Sequence, residues 1–182
     1  MIAGNVKGFP IKMPKGTPTR PATELVRGAI FSILMSSVDD WDRVLDLFSG
    51  SGSLGIEALS RGAGSVDFVD QEPRCCAIIK ENLEKTGLSN QAKVHCTTVS
   101  HAIATLEAPF NIVLMDPPYK DTSIGKTVEQ LAKSQLVNTD TIVVITHSTR
   151  FKLEPRYGTL NLKREYRHGD STIAIYKKEL SS

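Results

Sequence analysis

The 182 residues are 40% hydrophobic and 23% charged, proportions that suit one soluble globular domain and exclude a disordered or collagen-like chain. The net charge is +2, but residues 1–30 hold five basic groups against one acid, residues 31–149 nine against fifteen, and residues 150–182 eight against four. No apolar run approaches the ~18–20 residues that span a bilayer, and residues 1–16 lack the apolar centre of a secretory signal, so the expected location is the cytoplasm.

Residues 1–21, with four prolines and three glycines, are expected to form a basic N-terminal arm with a small hairpin. The acidic middle between basic ends suggests that this arm grips a polyanion. Residues 22–34 read as an amphipathic helix with Leu25, Ala29, Ile30 and Ile33 on one face. From residue 43 the pattern alternates. Strands are expected at 43–48, 65–70, 93–97, 110–115 and 141–146, with helices at 54–61, 73–86, 100–106 and 122–133 between them. Strands separated by helices of this length make βαβ units, hence a parallel sheet covered on both faces. Segments 158–166 and 172–177 alternate around Arg167-His168-Gly169-Asp170 and predict an antiparallel hairpin that closes the sheet. The fold expected is α/β, a doubly wound Rossmann-like sheet, mostly parallel, preceded by the arm and its helix. The domain proper is expected to run over residues 22–182.

The three cysteines, Cys75, Cys76 and Cys96, have no C-x-x-C spacing and read as small apolar residues in a reducing compartment. The four histidines show no metal-binding spacing, so no metal is expected.

Three segments carry chemistry. The first is Asp46-Leu-Phe-Ser-Gly50-Ser-Gly52-Ser-Leu-Gly55, in which glycines 50, 52 and 55 follow a strand and open a helix. Such a loop brings backbone close to a nucleotide and aims helix N-terminal amides at it. A dinucleotide-dependent dehydrogenase has the same glycines, but Asp46 suits a cationic ammonium better than a pyrophosphate, and no hydride-transfer site follows. The second is Asp70, at the end of the next strand, where an acid can accept from both ribose hydroxyls; Glu72 is the competing candidate.

The third is Asp116-Pro117-Pro118-Tyr119, at the end of the fourth strand. The prolines fix the backbone and remove two donors, leaving carbonyls to accept. Asp116 and the Pro117 carbonyl together can accept both hydrogens of an exocyclic amine. An amine conjugated to a purine is a poor nucleophile, and two acceptors turn its lone pair toward an electrophile. Tyr119 offers a face on which a base stacks.

With GNVKGFPI, TRPATELVRGAIFSIL, VLDLFSGSGSLGIEALSRGA and LMDPPY spread through it, the chain resembles the class I S-adenosylmethionine-dependent methyltransferases. Within that class it is most similar to the RsmD-type enzymes that methylate a guanine N2 in 16S ribosomal RNA. The resemblance implies S-adenosylmethionine as cofactor, with Asp46, Ser49, Gly50 and Gly52 around its methionine half, Asp70 at the ribose, Asp116 beside the reacting centre, and Thr98 or the Val99 amide at the adenine. It departs from the family at Thr98, usually Asp or Asn, and at Thr146, where relatives often carry Glu. Catalysis falls to Asp116, Pro117 and Tyr119. The implied partner is ribosomal RNA or the assembling small subunit, touched by Lys7, Lys12, Lys15, Arg20, Arg27 and Tyr119. A monomer is expected. Adenine-N6 methylation of DNA or RNA and glutamine-N5 methylation of protein are the alternative activities, since the D-P-P-Y element serves them too. Deleting residues 1–18 is expected to weaken RNA binding and leave cofactor affinity nearly intact.

Overall fold

A computed structural model describes residues 1–15 and 22–179. Among the described residues eight strands form one sheet, interleaved with five α-helices. The order along the chain is α1 (Glu24–Ser37), β1 (Arg43–Leu47), α2 (Ser53–Ser60), β2 (Ser65–Asp70), α3 (Pro73–Thr86), β3 (Ala92–Cys96), α4 (Val99–Thr105), β4 (Ile112–Met115), α5 (Ile124–Lys133), β5 (Ile142–Ser148), β6 (Arg156–Tyr157), β7 (Leu160–His168) and β8 (Ser171–Lys178). Across the sheet the order is β3-β2-β1-β4-β5-β8-β7-β6. Strands β1 to β5 are parallel, and β8 runs antiparallel to β5, as do β7 to β8 and β6 to β7. The expected mostly parallel sheet with an antiparallel C-terminal hairpin is the observed one, extended by the short edge strand β6.

The parallel strands read as unbroken apolar runs because both faces are covered. In β4, Ile112 and Leu114 face the layer of α1, α2 and α3, while Val113 and Met115 face the layer containing α4 and α5. Strand order reverses between β1 and β4, so a crevice opens beyond their carboxyl ends. Asp46 lies within β1 and Asp116 follows β4 directly, which puts both at that reversal.

Two expectations need correction. Helix α1 is capped by Thr23, whose side chain accepts from the Val26 amide at 3.3 Å, and it buries Val26, Ile30, Phe31 and Leu34. Leu25 is not on that face; it is 71% exposed. The apolar residues of this helix cover too wide an arc for periodicity to pick the buried centre, and Phe31, stacked on Trp41 at 6.0 Å, decides it.

The second correction concerns the arm. Its described residues, 1–15, contain no strand and do not hang free. Helix α2 is buried along its whole length, so its outward Glu57 and Ser60 need partners. The arm provides them: the Ile2 and Ala3 amides donate to the Glu57 carboxylate at 2.9 and 3.0 Å, joined by Arg61 Nε at 2.9 Å. Ser60 receives the Val6 amide and donates to the Ala3 carbonyl. Gly4 is required at this contact, with φ of +78° and a would-be Cβ only 1.8 Å from the Ser60 carbonyl oxygen. Further on, Lys12 exchanges two hydrogen bonds with the Asn82 side chain of α3.

Candidate active site

The loop after β1 is built by strain and anchorage. Phe48 holds a φ of +60°, a conformation costly for a bulky residue by about 1–2 kcal/mol, and so breaks the strand sharply. The Ser49 hydroxyl donates to the Asp46 carbonyl at 2.6 Å and accepts from the Val69 amide at 3.0 Å, tying the ends of β1 and β2. The Ser49 backbone is engaged as well, its amide donating to the Val69 carbonyl at 3.0 Å and its carbonyl accepting from the Gly52 amide at 2.8 Å, so Ser49 serves the fold of the loop. Gly50 adopts φ of +56° with open space around it, and its amide donates to Asp70 at 2.8 Å. Gly55 permits close packing of α2 on the sheet, since a Cβ there would lie 2.3 Å from the Phe68 ring. Asn82 holds the loop from behind by donating to the Ser51 carbonyl at 2.9 Å.

Beside this loop lies a cavity of about 1140 Å³, whose wall includes Gly50, Asp70, Glu72, Cys75, Val99 and Tyr119. Asp116 and Pro117 reach the same wall. Asp70 accepts from the Gly50 and Glu72 amides, a fixed carboxylate on the cavity edge. Burial, with the charges of Asp70 and Glu72 added, pushes the Cys75 thiol up to about 11, so it remains a neutral, weakly polar part of the wall.

Three sequence-derived cofactor residues sit differently from expectation. Asp46 is only 1% exposed and is not part of the cavity wall; its carboxylate accepts from the Gly55 amide at 2.9 Å beneath the loop. Gly52 caps α2 with φ of +80° and is likewise behind the wall. Thr98 spends its hydroxyl capping α4, accepting from the His101 amide at 3.2 Å, whereas Val99 does line the cavity. An N-cap residue is poorly free to read a base.

Burial pushes Asp46 up to about 8, opposed by the Gly55 amide and reinforced by the charges of Asp116 and Asp70. Three carboxylates therefore converge where the strand order reverses. With a pKa of about 8 Asp46 is largely protonated at neutral pH, and a cation bound nearby favours its ionisation. The cavity fits S-adenosylmethionine in size and in the acidic side chains, Asp70 and Glu72, on its wall.

Asp116 is the pivot. One carboxylate oxygen accepts from the Thr146 hydroxyl and the other from the Ala22 amide at 3.3 Å. Burial raises its pKa to about 6, and these two hydrogen bonds restrain the rise. The Pro117 carbonyl has no protein donor among the described residues. Tyr119, 37% exposed, contacts Ser171 through its hydroxyl. On the other side of Asp116 and Tyr119 lies a second cavity of about 300 Å³, walled by Thr23, Leu25, Thr146 and the β7–β8 turn at His168, Gly169 and Asp170. Asp116 and Tyr119 belong to both cavities.

The expected RNA-contacting residues do not form one patch. Lys7 is exposed, Lys12 is paired with Glu81 at 2.7 Å, and Lys15 stands on the wall of the large cavity. Arg27 is only 9% exposed and is not displayed to a phosphate backbone; burial of its stem within α1's packed face explains why. Arg20 lies outside the described residues. Sequence reasoning missed the Ala22 amide as a partner of Asp116 and the β7–β8 turn as a wall of the second cavity. Among the described residues no group of three or more His, Cys, Asp or Glu could hold a metal, and no helix is long and apolar enough to cross a membrane.

A doubly wound sheet with an acid-edged cavity at its reversal and an Asp-Pro-Pro-Tyr turn defines a Rossmann-like methyltransferase. The solved structure "Putative methyltransferase yhhF from Escherichia coli" superposes with a TM-score of 0.85 at 27% identity, covering 98% of this chain and 97% of that one. The family described as Conserved hypothetical protein 95 matches residues 1–177, and the chain belongs to it, the RsmD-type family of rRNA methyltransferases. Among relatives, "Putative rRNA methyltransferase YlbH" of Bacillus subtilis (strain 168) is 36% identical over 98% of both chains. "Ribosomal RNA small subunit methyltransferase D" of Escherichia coli (strain K12) is 27% identical over 98% of this chain and 89% of its own.

Proposed function

We propose that this chain methylates the exocyclic N2 amine of a guanine in small-subunit (16S) ribosomal RNA, free or in the assembling particle. The observation that carries the reading is the shared wall: Asp116 and Tyr119 stand between a cavity suited to a nucleoside cofactor and a smaller one open to a base. When bound, S-adenosylmethionine supplies an electrophilic methyl on a sulfonium. The Gly50 loop, Asp70 and Val99 would hold it, with Asp46 fixing that loop from below through the Gly55 amide. Asp116 and the Pro117 carbonyl accept the two amine hydrogens, so the nitrogen lone pair leaves conjugation and faces the large cavity. Tyr119 stacks the base, and its contact with Ser171 fixes the ring. Holding amine and methyl at a reacting distance of about 3–3.5 Å supplies much of the rate. A base in paired RNA has to be extruded to reach this depth. Support for an RNA acceptor also comes from the relatives named for small-subunit rRNA.

The test is transfer of labelled methyl to small-subunit RNA and particles, with the product nucleoside identified by mass spectrometry and its position mapped. N2-methylguanosine at one position is expected. N6-methyladenosine, or label in protein glutamine, overturns the assignment.

A further inference from the structure

The small cavity beside Asp116 has features that the acceptor chemistry above does not use. Its far wall is the two-residue turn between β7 and β8, where His168 and Ser171 pair across Gly169-Asp170. Gly169, at φ of +59°, gives the tight hairpin its required conformation. The turn is fastened on two sides: the Thr149 amide donates to the Asp170 carbonyl at 2.9 Å, and Ser171 contacts the Tyr119 hydroxyl. Asp170 therefore has a fixed backbone. Its carboxylate, however, accepts from no group among the described residues, and Asp170 is exposed and lines the cavity. A carboxylate used only to make the turn would be expected to accept from a nearby amide, as Asp121 does from Ser123.

Purine amines differ in what stands next to them. In guanine the reactive N2 amine has the N1–H donor at its side. In adenine the N6 amine has instead the bare N1 acceptor, and in a glutamine amide it has a carbonyl oxygen. A second carboxylate beside the amine-holding Asp116 is attractive to the first arrangement and repels the other two. Resting on the guanine reading above, we infer that Asp170 is the specificity residue of this enzyme: it accepts the N1–H of the bound guanine and rejects bases with an unprotonated N1. Leu25, exposed at 71%, and Tyr119 give the same cavity the apolar surface a flat base needs. Asp116 thus holds the amine, while Asp170 selects the ring that bears it.

The decisive probe is 2-aminopurine, which keeps the N2 amine but has no hydrogen on N1. It replaces the mapped target guanine in small-subunit RNA, and single-turnover methylation is measured for wild type, Asp170→Asn and Asp170→Ala. The wild type should prefer guanine by about 10–100-fold, the range for one charge-assisted hydrogen bond. Both variants should bring that ratio to within about threefold, chiefly by slowing guanine, with cofactor Kd unchanged because Asp170 is not on the large cavity's wall. An unchanged ratio in both variants, or a proportional loss on both bases, overturns the role of Asp170 while leaving guanine methylation intact. Absence of any N2-methylguanosine from the wild type overturns the parent reading as well, so the two failures are distinguishable.

Discussion

Asp116 offers the sharpest separation of two mechanisms. If its carboxylate removes a proton in the transition state, Asn cannot replace it. If it only accepts hydrogen bonds, Asn should function in part, because the surrounding groups can accommodate it. The Ala22 amide can only donate, so the Asn oxygen turns there; the Thr146 hydroxyl can rotate to accept from the Asn amide. Asp116→Asn should then lose ~1.5–3 kcal/mol of transition-state stabilisation, about 10–100-fold in single-turnover rate. Asp116→Ala leaves both partners unanswered and deletes the acceptor, for a loss of about 10³-fold or more. The pH dependence adds an independent check. With a pKa of about 6, the wild-type carboxylate gains its full acceptor strength as pH rises from 5 to 7, so the rate should climb through that window. Asn has no such titration, and its profile should be flat there. Single-turnover transfer at saturating cofactor and RNA measures both. Equal, near-total loss in the two variants would refute the acceptor role and favour a general base, and an acid limb that survives in Asp116→Asn would assign that titration to a different group.

Asp70→Ala should weaken S-adenosylmethionine binding by about 10–100-fold in calorimetry, since it removes a fixed carboxylate and frees the Gly50 amide it holds, whereas Glu72→Ala should change Kd by less than about threefold. Asp46 titrates near 8 folded against an ordinary 3.8, so the folded state keeps its proton longer and stability is lost as pH rises across that interval; the melting temperature of the cofactor-free protein should fall from pH 5 to 8, and Asp46→Asn should flatten the fall. Glu57→Ala strands the Arg61 guanidinium and the arm amides in a buried site, and should cost about 3–5 kcal/mol in chemical denaturation while making residues 1–15 susceptible to proteolysis. Deleting residues 1–15 should weaken cofactor binding as well as RNA binding, because Met13, Pro14 and Lys15 wall the large cavity; the same Kd in the truncated protein would return the arm to a purely RNA-facing role.

That last expectation reverses the one drawn from sequence, and the reason is instructive. A proline- and glycine-rich basic stretch reads as an appendage because it lacks periodicity. What docks it is a set of backbone amides aimed at Glu57, Ser60 and Asn82, and no side-chain pattern in the arm encodes them. The acceptors did leave a trace: Glu57 and Ser60 are polar residues within a short helix that is buried throughout. The central strands, by contrast, were legible to within a residue or two. A strand covered on both faces must be a continuous apolar run, and Gly87, at φ of +72° after α3, marks a helix end as plainly in sequence as in structure.

The site divides along the same line. Asp70 and Asp116 could be placed because each ends a strand, and the carboxyl ends of parallel strands meet at one crevice in this topology. Asp46 sits within β1, not at its end, on the Val44 face against α2, so alternation along the strand drives its carboxylate under the loop. There it anchors the loop by accepting from the Gly55 amide. The β7–β8 turn was read as the end of a hairpin, since a Gly-Asp pair at a tight turn has a sufficient local cause. Only the antiparallel pairing of β8 with β5 carries that turn to the side of Thr146 and Asp116. Residues 116 and 170 come together through the register of two strands. A pocket assembled in this way has no sequence motif of its own, and its selectivity resides in the element that local reading explains most cheaply.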